Sequence, residues 1–147
     1  MKTEQRLPGD VLDDGSIYIG ILNDGKTLYH LSLEPKCEPK EMTWHEAIKL
    51  EGCPTLREMK MISANAFALG LINDTGWYWS STESSNGYAW LERFSDGNQF
   101  NGIKNNTYLV RCVRRSIIQS FDHSAIRIAE LEKELAGLKN KQKCKVR

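Results

Sequence analysis

Apolar and polar residues alternate in short runs along this chain, which is the pattern of half-buried β-strands. Every second residue of Ile17–Ile21 is an isoleucine, and Tyr29–Leu33 alternates in the same way after the turn Asn23–Gly25. An Asp-Gly pair supplies the positive φ that a tight hairpin turn needs. Residues 9–33 are therefore predicted to form a small antiparallel meander.

The strongest strand pattern lies between Gly76 and Arg115. Runs rich in aromatic and β-branched residues, which favour strands, occur at Trp77–Trp79, Tyr88–Phe94 and Tyr108–Arg115. Period-2 alternation places one set of side chains from the middle run on a single face of its strand. This set is Tyr88, Trp90, Glu92 and Phe94.

Polar loops are predicted between these strands. Ser95–Asn98 contains an Asp-Gly pair and forms a turn, and the stretches Glu83–Gly87 and Asn98–Thr107 are rich in Asn, Ser and Gly. A rigid sheet that holds polar loops is a common way to build a binding face. An ordinary antiparallel sheet with solvated loops explains the same pattern.

Two helices are predicted between the meander and this sheet, and each begins with the same capping signal. Thr43 and Thr55 are followed three residues later by Glu46 and Glu58, which is the spacing of a capping box. Capping accounts for both glutamates without a catalytic role. The apolar residues at helical spacing are Trp44, Ala47 and Ile48 in the first helix, and Leu56, Met59, Ile62, Ala66 and Phe67 in the second.

Residues 117–147 carry apolar positions at alternating spacings of four and three, the heptad pattern of a coiled coil. In a parallel assembly Arg127 faces Glu132 of a neighbouring chain, and the two charges are opposite. We expect a homotrimer through this coil, with a dimer, or a helix folded back on its own domain, as alternatives. The predicted seam consists of Ile117, Phe121, Ser124, Ile128, Leu131, Leu135 and Leu138.

A set of motifs between residues 8 and 116 resembles a known family. The motifs, in the order in which the family has them, are PTLREM (Pro54–Met59), YWSSTE (Tyr78–Glu83), AW (Ala89-Trp90), FSDG (Phe94–Gly97) and YLVRCVR (Tyr108–Arg114). They look like the family named for the C-terminal domain of the Legionella collagen-like protein. The stretch Arg127–Glu132 also resembles the arginine–hydrophobic–x–x–hydrophobic–glutamate signature of parallel three-stranded coils.

This resemblance implies a fold related to C-type-lectin-like and formylglycine-generating-enzyme-like domains. Members of the family occur in bacterial surface proteins and in phage and prophage proteins, mostly as binding modules. Secreted relatives often bridge the cysteine of the RCVR strand to an earlier one, which leaves Cys37 or Cys53 as the partner of Cys112. A reducing cytoplasm instead favours free thiols.

The composition is that of a soluble globular protein, with 40% hydrophobic and 27% charged residues among 147. A formal net charge of +1 gives no reason to expect nucleic acid or a membrane surface as a partner. No apolar run reaches the roughly 20 residues that span a bilayer, and residues 1–10 do not read as a secretory signal. We expect synthesis in the cytoplasm without a signal peptide, and a place on the virion surface if the protein is a phage structural component.

The chemistry-bearing residues do not form the pattern of an enzyme or a metal site. The cysteines, including Cys144, are too widely spaced for zinc, and neither His30, His45 nor His123 lies beside a candidate nucleophile in the sequence. No phosphate-binding glycine motif occurs, and the Glu-Pro-Asn-type runs of calcium-binding lectins are lacking. We expect no catalytic residue, no metal and no cofactor.

We expect ligand contact on the polar loops and on the exposed strand residues beside them. Amide side chains offer hydrogen-bond donors and acceptors to hydroxyl-rich or peptide ligands, and a tyrosine ring offers a flat apolar platform. The predicted contact residues are Glu83, Asn86, Tyr88, Arg93, Asn98, Gln99, Asn101, Lys104 and Asn105.

The sequence thus predicts an α+β protein of two parts. Residues 1–116 form a C-type-lectin-like domain of antiparallel strands with two helices, and residues 117–147 form a coiled-coil helix with a basic tail. The expected function is a non-catalytic trimeric binding module, a phage or prophage fibre tip or head decoration that recognises a cell-surface glycan or protein. The alternative is an intracellular phage-encoded inhibitor that binds a host protein or captures a small molecule.

Overall fold

The computed structural model describes residues 5–36, 40–120 and 131–137. These residues form an α+β fold with two three-stranded antiparallel sheets and short helices. The first sheet has the strand order β1-β2-β6 and the second has β3-β4-β5. The elements are β1 (Ile17–Asn23), β2 (Thr27–Leu33), α1 (Trp44–Ala47), α2 (Leu56–Ala64), β3 (Trp77–Ser85), β4 (Tyr88–Arg93), β5 (Gln99–Ile103), β6 (Val113–Ser120) and α3 (131–137).

The predicted meander is confirmed as the β1–β2 hairpin, but its alternation is interrupted. The pairing register shifts between Tyr18 and Gly20, which is a β-bulge. Beyond the bulge the strand has changed faces, so Leu22 is buried whereas Ile21 is exposed. The predicted alternation, which places Ile21 on the same face of the strand as Ile19, is therefore wrong for Ile21.

The predicted strand Tyr108–Arg115 is divided between the two sheets. Tyr108 and Leu109 form only isolated bridges, to Met42 and Tyr78, and the backbone amide of Trp79 donates to Leu109 O at 2.8 Å. The regular strand, β6, begins at Val113 and pairs with β2. Residues 110–112 therefore cross from the second sheet to the first. Leu109 bridges to β3, whereas Val113 pairs with β2.

Strand β6 also corrects the predicted start of the coiled-coil helix. Ile117 is paired with Tyr29 in the first sheet, and the strand continues to Ser120 across the predicted domain boundary at 116/117. The heptad pattern is local, whereas the open edge of β2 offers hydrogen bonds to every second residue of an extended chain. Pairing with that edge decides the conformation of residues 117–120.

Both predicted helices are confirmed, and both capping boxes are formed. The hydroxyl of each threonine, Thr43 and Thr55, accepts from the backbone amide three residues on, and the glutamate there accepts from the threonine amide. The helices are shorter than their apolar patterns. Ile48 follows the end of α1 and is exposed, and Phe67 lies in the turn after α2 with 84% of its surface exposed.

The second sheet contains more strand than the sequence predicts. The expected polar loop Glu83–Gly87 is mostly the end of β3, and half of the expected loop Asn98–Thr107 is β5. The predicted turn is confirmed: Gly97 has φ +73° and the amide of Arg93 donates to Asn98 O at 2.9 Å. Asn, Ser and Gly in these stretches occupy strands because the β4 ladder satisfies their backbone groups.

The sheets and helices enclose two hydrophobic clusters. One contains Ile19, Leu31, Met59, Ile62 and Phe94 among others and lies between the first sheet and α2. The other is built around the fully buried ring of Trp79. Trp77 and Trp90, in contrast, are only half-buried.

A partly buried ion pair joins α2 to β6. Glu58 is fully buried, and its carboxylate accepts from Arg115 Nε at 2.6 Å, Arg115 Nη2 at 2.7 Å and Tyr29 Oη at 2.7 Å. Burial raises the pKa of Glu58, but the hydrogen bonds from Arg115, Thr55 and Tyr29 outweigh it, so the pKa lies below its usual range. The capping glutamate of α2 therefore also fixes the position of β6.

Candidate functional site

The predicted contact residues lie around β4 and β5 but do not converge on one point. Tyr88 is at the start of β4, and Arg93 is at its end. A strand rises about 3.4 Å per residue, so these two positions are about 17 Å apart. Glu83, Asn86, Lys104 and Asn105 lie at the Tyr88 end, Asn98 and Gln99 lie at the Arg93 end, and Asn101 lies between them.

At the Tyr88 end, Lys104 is a structural residue. It is 7% exposed, its Nζ donates to Asn86 O at 2.9 Å, and Glu83 Oε2 lies 3.1 Å away. The ammonium group also lies 4.4 Å from the centre of the Trp44 ring. The prediction of Lys104 as an exposed contact residue is wrong, because these partners hold its charge inside the fold.

At the Arg93 end, the guanidinium group is already engaged. Nε of Arg93 donates to both carboxylate oxygens of Asp96, at 3.0 and 3.1 Å, and the guanidinium carbon lies 5.0 Å from the Trp77 ring centre. Asp96 also accepts from the Asn98 amide at 3.1 Å. These contacts stiffen the β4–β5 turn and leave Arg93 few free donors.

Between these ends, one face of the second sheet exposes aromatic and aliphatic side chains. Tyr88 is directly opposite Ile103, and Trp90 is opposite Asn101. Opposite residues of an antiparallel pair share a face, as do residues two apart along a strand. We call these four residues the β4–β5 face. Tyr88 is 44% and Ile103 46% exposed, so the face is open to a ligand.

The outer edge of β5 adds backbone groups to this face. Arg93 donates to Asn98 O, and Lys104 donates to Gly87 O; in an antiparallel ladder the hydrogen-bonded positions recur at every second residue. Phe100 and Gly102 therefore point their backbone groups at β4. The amides and carbonyls of Asn101 and Ile103 point away from β4, because β5 is the edge strand.

Sequence reasoning found two members of the β4–β5 face and missed two. Tyr88 and Asn101 were predicted contacts, whereas Trp90 was not among them and Ile103 was placed in a polar loop. Trp90 and Ile103 could have been found from the register of the β4–β5 hairpin. Once the Asp-Gly turn at Ser95–Asn98 is taken as tight, the register places residue 103 opposite residue 88, on the face where period-2 alternation also places Trp90.

A groove of about 660 Å³ lies on the outer face of the first sheet, beneath the N-terminal loop. Its lining includes Arg6, Asp14, His30 and Arg114. The Tyr18 hydroxyl and His30 Nδ1 are 2.8 Å apart, and desolvation, aided by Arg6, lowers the pKa of His30. Arg114 is neutralised by Asp14 at 2.8 Å and by Glu34 at 2.5 Å. The charges of the groove are thus largely compensated within the fold.

The two described cysteines lie near each other beside the Trp79 cluster. Cys53 is a buried free thiol, and desolvation together with the nearby Cys112 raises its pKa to about 12. A thiol with so high a pKa is a poor nucleophile at neutral pH. Cys37 and Cys144, the other two cysteines of the sequence, lie outside the described residues.

The predicted oligomerisation residues are only partly described. Leu131 is 48% exposed and Leu135 is 54% exposed on the same side of α3, whereas Ile117, 69% exposed, belongs to β6. Phe121, Ser124, Ile128 and Leu138 lie outside the described residues.

Within residues 5–36, 40–120 and 131–137, no three His, Cys, Asp or Glu side chains are grouped as a metal ion would require. No helix in this part of the chain is long and apolar enough to cross a membrane. A scan of known family models finds none that matches the chain, and a search of curated proteins finds no match.

Proposed function

We propose that this chain is a non-catalytic binding module with a C-type-lectin-like domain, and that its ligand binds on the β4–β5 face. The observation that carries the proposal is the exposure of Tyr88 and Ile103 beside Trp90 and Asn101. An aromatic ring with a neighbouring amide stacks on an apolar patch and hydrogen-bonds hydroxyl or peptide groups. The ligand in this proposal is a cell-surface glycan or protein.

The family resemblance supports the C-type-lectin-like assignment and the setting. Its motifs fall on the elements that hold the proposed site: FSDG forms the β4–β5 turn, YWSSTE lies in β3 and PTLREM begins α2. Because relatives occur in phage and prophage proteins, the proposed role is a virion appendage, a fibre tip or head decoration.

The proposed module is a homotrimer held by the C-terminal helix. Support comes from Leu131 and Leu135, which lie one turn apart on α3 and are about half exposed in the single chain. Three copies that present one β4–β5 face each convert weak single contacts into strong attachment to a surface that carries many copies of the ligand.

Binding of the purified chain to a glycan array and to intact host cells tests this proposal. Tyr88→Ala and Asn101→Ala are expected to reduce binding at least tenfold while the melting temperature stays within a few degrees, because both side chains are exposed. Phe67→Ala is the matched control, since it removes an exposed aromatic ring after α2. Equal binding by all three variants would place the ligand elsewhere.

A further inference from the structure

A cavity of about 440 Å³ lies between α2 and the β4–β5 turn. Lys60, Ser63 and Ala64 of α2 form one wall, and the opposite wall comes from β4, β5 and the turn that connects them. The turn approaches the helix closely, since a Cβ atom on Gly97 would lie 3.6 Å from Ser63 Cβ. Tyr88, Trp90 and Ile103 do not line this cavity, although its residues Glu92 and Gln99 lie further along the same face of the sheet.

Glu92 places a fully buried carboxylate in the wall of this cavity. Gln99 Nε2 donates to Oε1 at 3.0 Å, and the Ser63 hydroxyl donates to Oε2. Within the described part of the chain no basic side chain forms an ion pair with it. Glu58, the other fully buried glutamate, has a bidentate arginine. Glu92 is therefore a buried acid without a cation.

The polar groups around the cavity are mostly acceptors. A carboxylate has about four lone-pair directions, and Glu92 uses two of them on Ser63 and Gln99. Ser63 gives its only proton to Glu92 and keeps lone pairs, and Gln99 keeps its amide oxygen. Asp96 at the rim is bonded to Arg93. Lys60, whose charge lowers the pKa of Glu92 against the larger effect of burial, lines the cavity but forms no ion pair with Glu92.

We propose that this cavity binds a protonated alkyl amine or a guanidinium group, whose positive charge would lie beside the buried Glu92 carboxylate and whose N–H donors would bond the partly exposed Ser63 and Gln99. Such a cation supplies what Glu92 lacks among the described residues, an ion-pair partner, and brings several donors in one compact group. The group comes either from a lysine or arginine side chain of a protein partner or from a free small amine. The size of the cavity, within the range of small-molecule sites, suits both.

The test uses the full chain and n-butylammonium chloride as the probe, with n-butanol as the neutral analogue of the same shape. Amide resonances of Ser63, Gly97 and Gln99 are followed by NMR during each titration. Butylammonium is expected to give saturating shifts and butanol none. Glu92→Gln should weaken butylammonium binding at least tenfold, whereas Glu41→Gln, which removes an exposed carboxylate before α1, should leave it unchanged.

Two further variants keep the test decisive if Glu92→Gln alters the fold. Ala64→Leu fills the cavity from an exposed helical position and should abolish binding without touching Glu92. Lys60→Gln removes the positive charge that repels the probe and should strengthen butylammonium binding. Affinity should also rise with pH through the raised pKa of Glu92, since only the ionised carboxylate attracts the probe; Lys60, Asp96 and Arg93 are the other charged groups on this side.

The source of the cation is decided by comparing butylammonium with Nα-acetyl-lysine amide and Nα-acetyl-arginine amide. Tighter binding of either amide points to a protein side chain, and tighter binding of butylammonium points to a free amine. Equal shifts with butanol, or unchanged binding in both Glu92→Gln and Ala64→Leu, would overturn the proposal. Because the probe does not address the β4–β5 face, either result leaves the proposed lectin-like function to its own test.

Discussion

Two buried glutamates, Glu58 in α2 and Glu92 in β4, show how strongly the surroundings of a single residue decide its energetic effect. Glu58 and Glu92 are both fully buried. Glu58 is paired with Arg115, and its pKa is lowered; Glu92 has only neutral donors, and burial raises its pKa. Their contributions to stability therefore depend on pH in opposite directions.

We predict that Arg115→Leu destabilises the fold by about 3–5 kcal/mol, because it leaves the Glu58 carboxylate buried without its cation. Urea unfolding at pH 7 measures this loss. Arg114→Leu is the matched control: the adjacent arginine pairs with Asp14 and Glu34 at the surface, where water screens the charges, and its loss should cost much less. Equal effects of the two substitutions would show that the buried pair contributes no more than a surface pair.

The pH dependence of this difference follows from the sign of the Glu58 shift. A carboxyl group with a lowered pKa stabilises the fold above its unfolded-state pKa, and this contribution is lost as the pH falls through the folded-state pKa. The gap in stability between the wild type and Arg115→Leu should therefore narrow at acidic pH.

For Glu92 we predict the reverse. Glu92→Gln should stabilise the fold at pH 7 by about 1 kcal/mol or more, because a neutral amide replaces a buried charge that has no cation. The pKa of Glu92 is raised in the folded state, so ionised Glu92 destabilises the fold at pH values above this folded-state pKa. The destabilisation disappears as the pH falls toward the pKa of the unfolded state. Thermal melts of both proteins between pH 4 and 8 should converge at the acidic end, and a constant difference would contradict this assignment.

At the scale of elements, local signals predicted the helices, whereas partners distant in sequence decided the strands. Thr55 and Glu58 are close in sequence, so the capping box that begins α2 can be recognised without knowing the fold. The face change at Gly20 and the extension of β6 over Ile117 cannot, because both depend on the pairing with β2. The heptad pattern places Ile117 in a helix, but the pattern depends only on neighbouring residues. It therefore cannot show that the open edge of β2 pairs with Ile117 instead.

The proposed coil gives a prediction at this scale. Replacing Leu131 and Leu135 together by glutamate should convert the proposed trimer into monomers, since each leucine that the trimer would bury contributes on the order of 2 kcal/mol per chain. Light scattering after size-exclusion chromatography measures the mass. Lys133→Glu is the matched control, because position 133 faces away from the heptad seam. A monomeric wild-type chain would rule out the trimer.

At the scale of the whole molecule, the ring of Trp79 holds the second sheet to the segments that precede and follow it. Its Nε1 donates to Met42 O at 2.7 Å, and its ring meets Tyr108 edge-on with centres 5.1 Å apart. We predict that Trp79→Ala costs about 3–5 kcal/mol, while Phe67→Ala, at an 84% exposed ring, costs less than about 0.5 kcal/mol. Chemical denaturation of both variants provides the comparison, and an unchanged midpoint for Trp79→Ala would contradict the core described above.

The candidate site could be predicted only in part. The polar stretches of the sequence correctly indicated the region of Tyr88 and Asn101. They also led to the prediction of Lys104 as a contact residue, although the fold buries Lys104 against Trp44. The cavity at Glu92 had no sequence signal, because it depends on the approach of α2 to a turn about 30 residues further along the chain. Side-chain chemistry is visible in a sequence, whereas burial and convergence are properties of the assembled fold.

The place of β6 at the edge of the first sheet has a consequence for biosynthesis. Arg114 pairs with Glu34, 80 residues earlier in the chain, so the β1–β2 hairpin leaves the ribosome long before the strand that covers its edge. Synthesis at roughly 5–20 residues per second leaves that edge open for about 4–16 seconds. During this interval it can pair with other nascent hairpins. The yield of folded protein should therefore depend on translation speed and on chaperones that cover the unpaired edge of β2. It should depend on these factors more than on the stability of the finished fold.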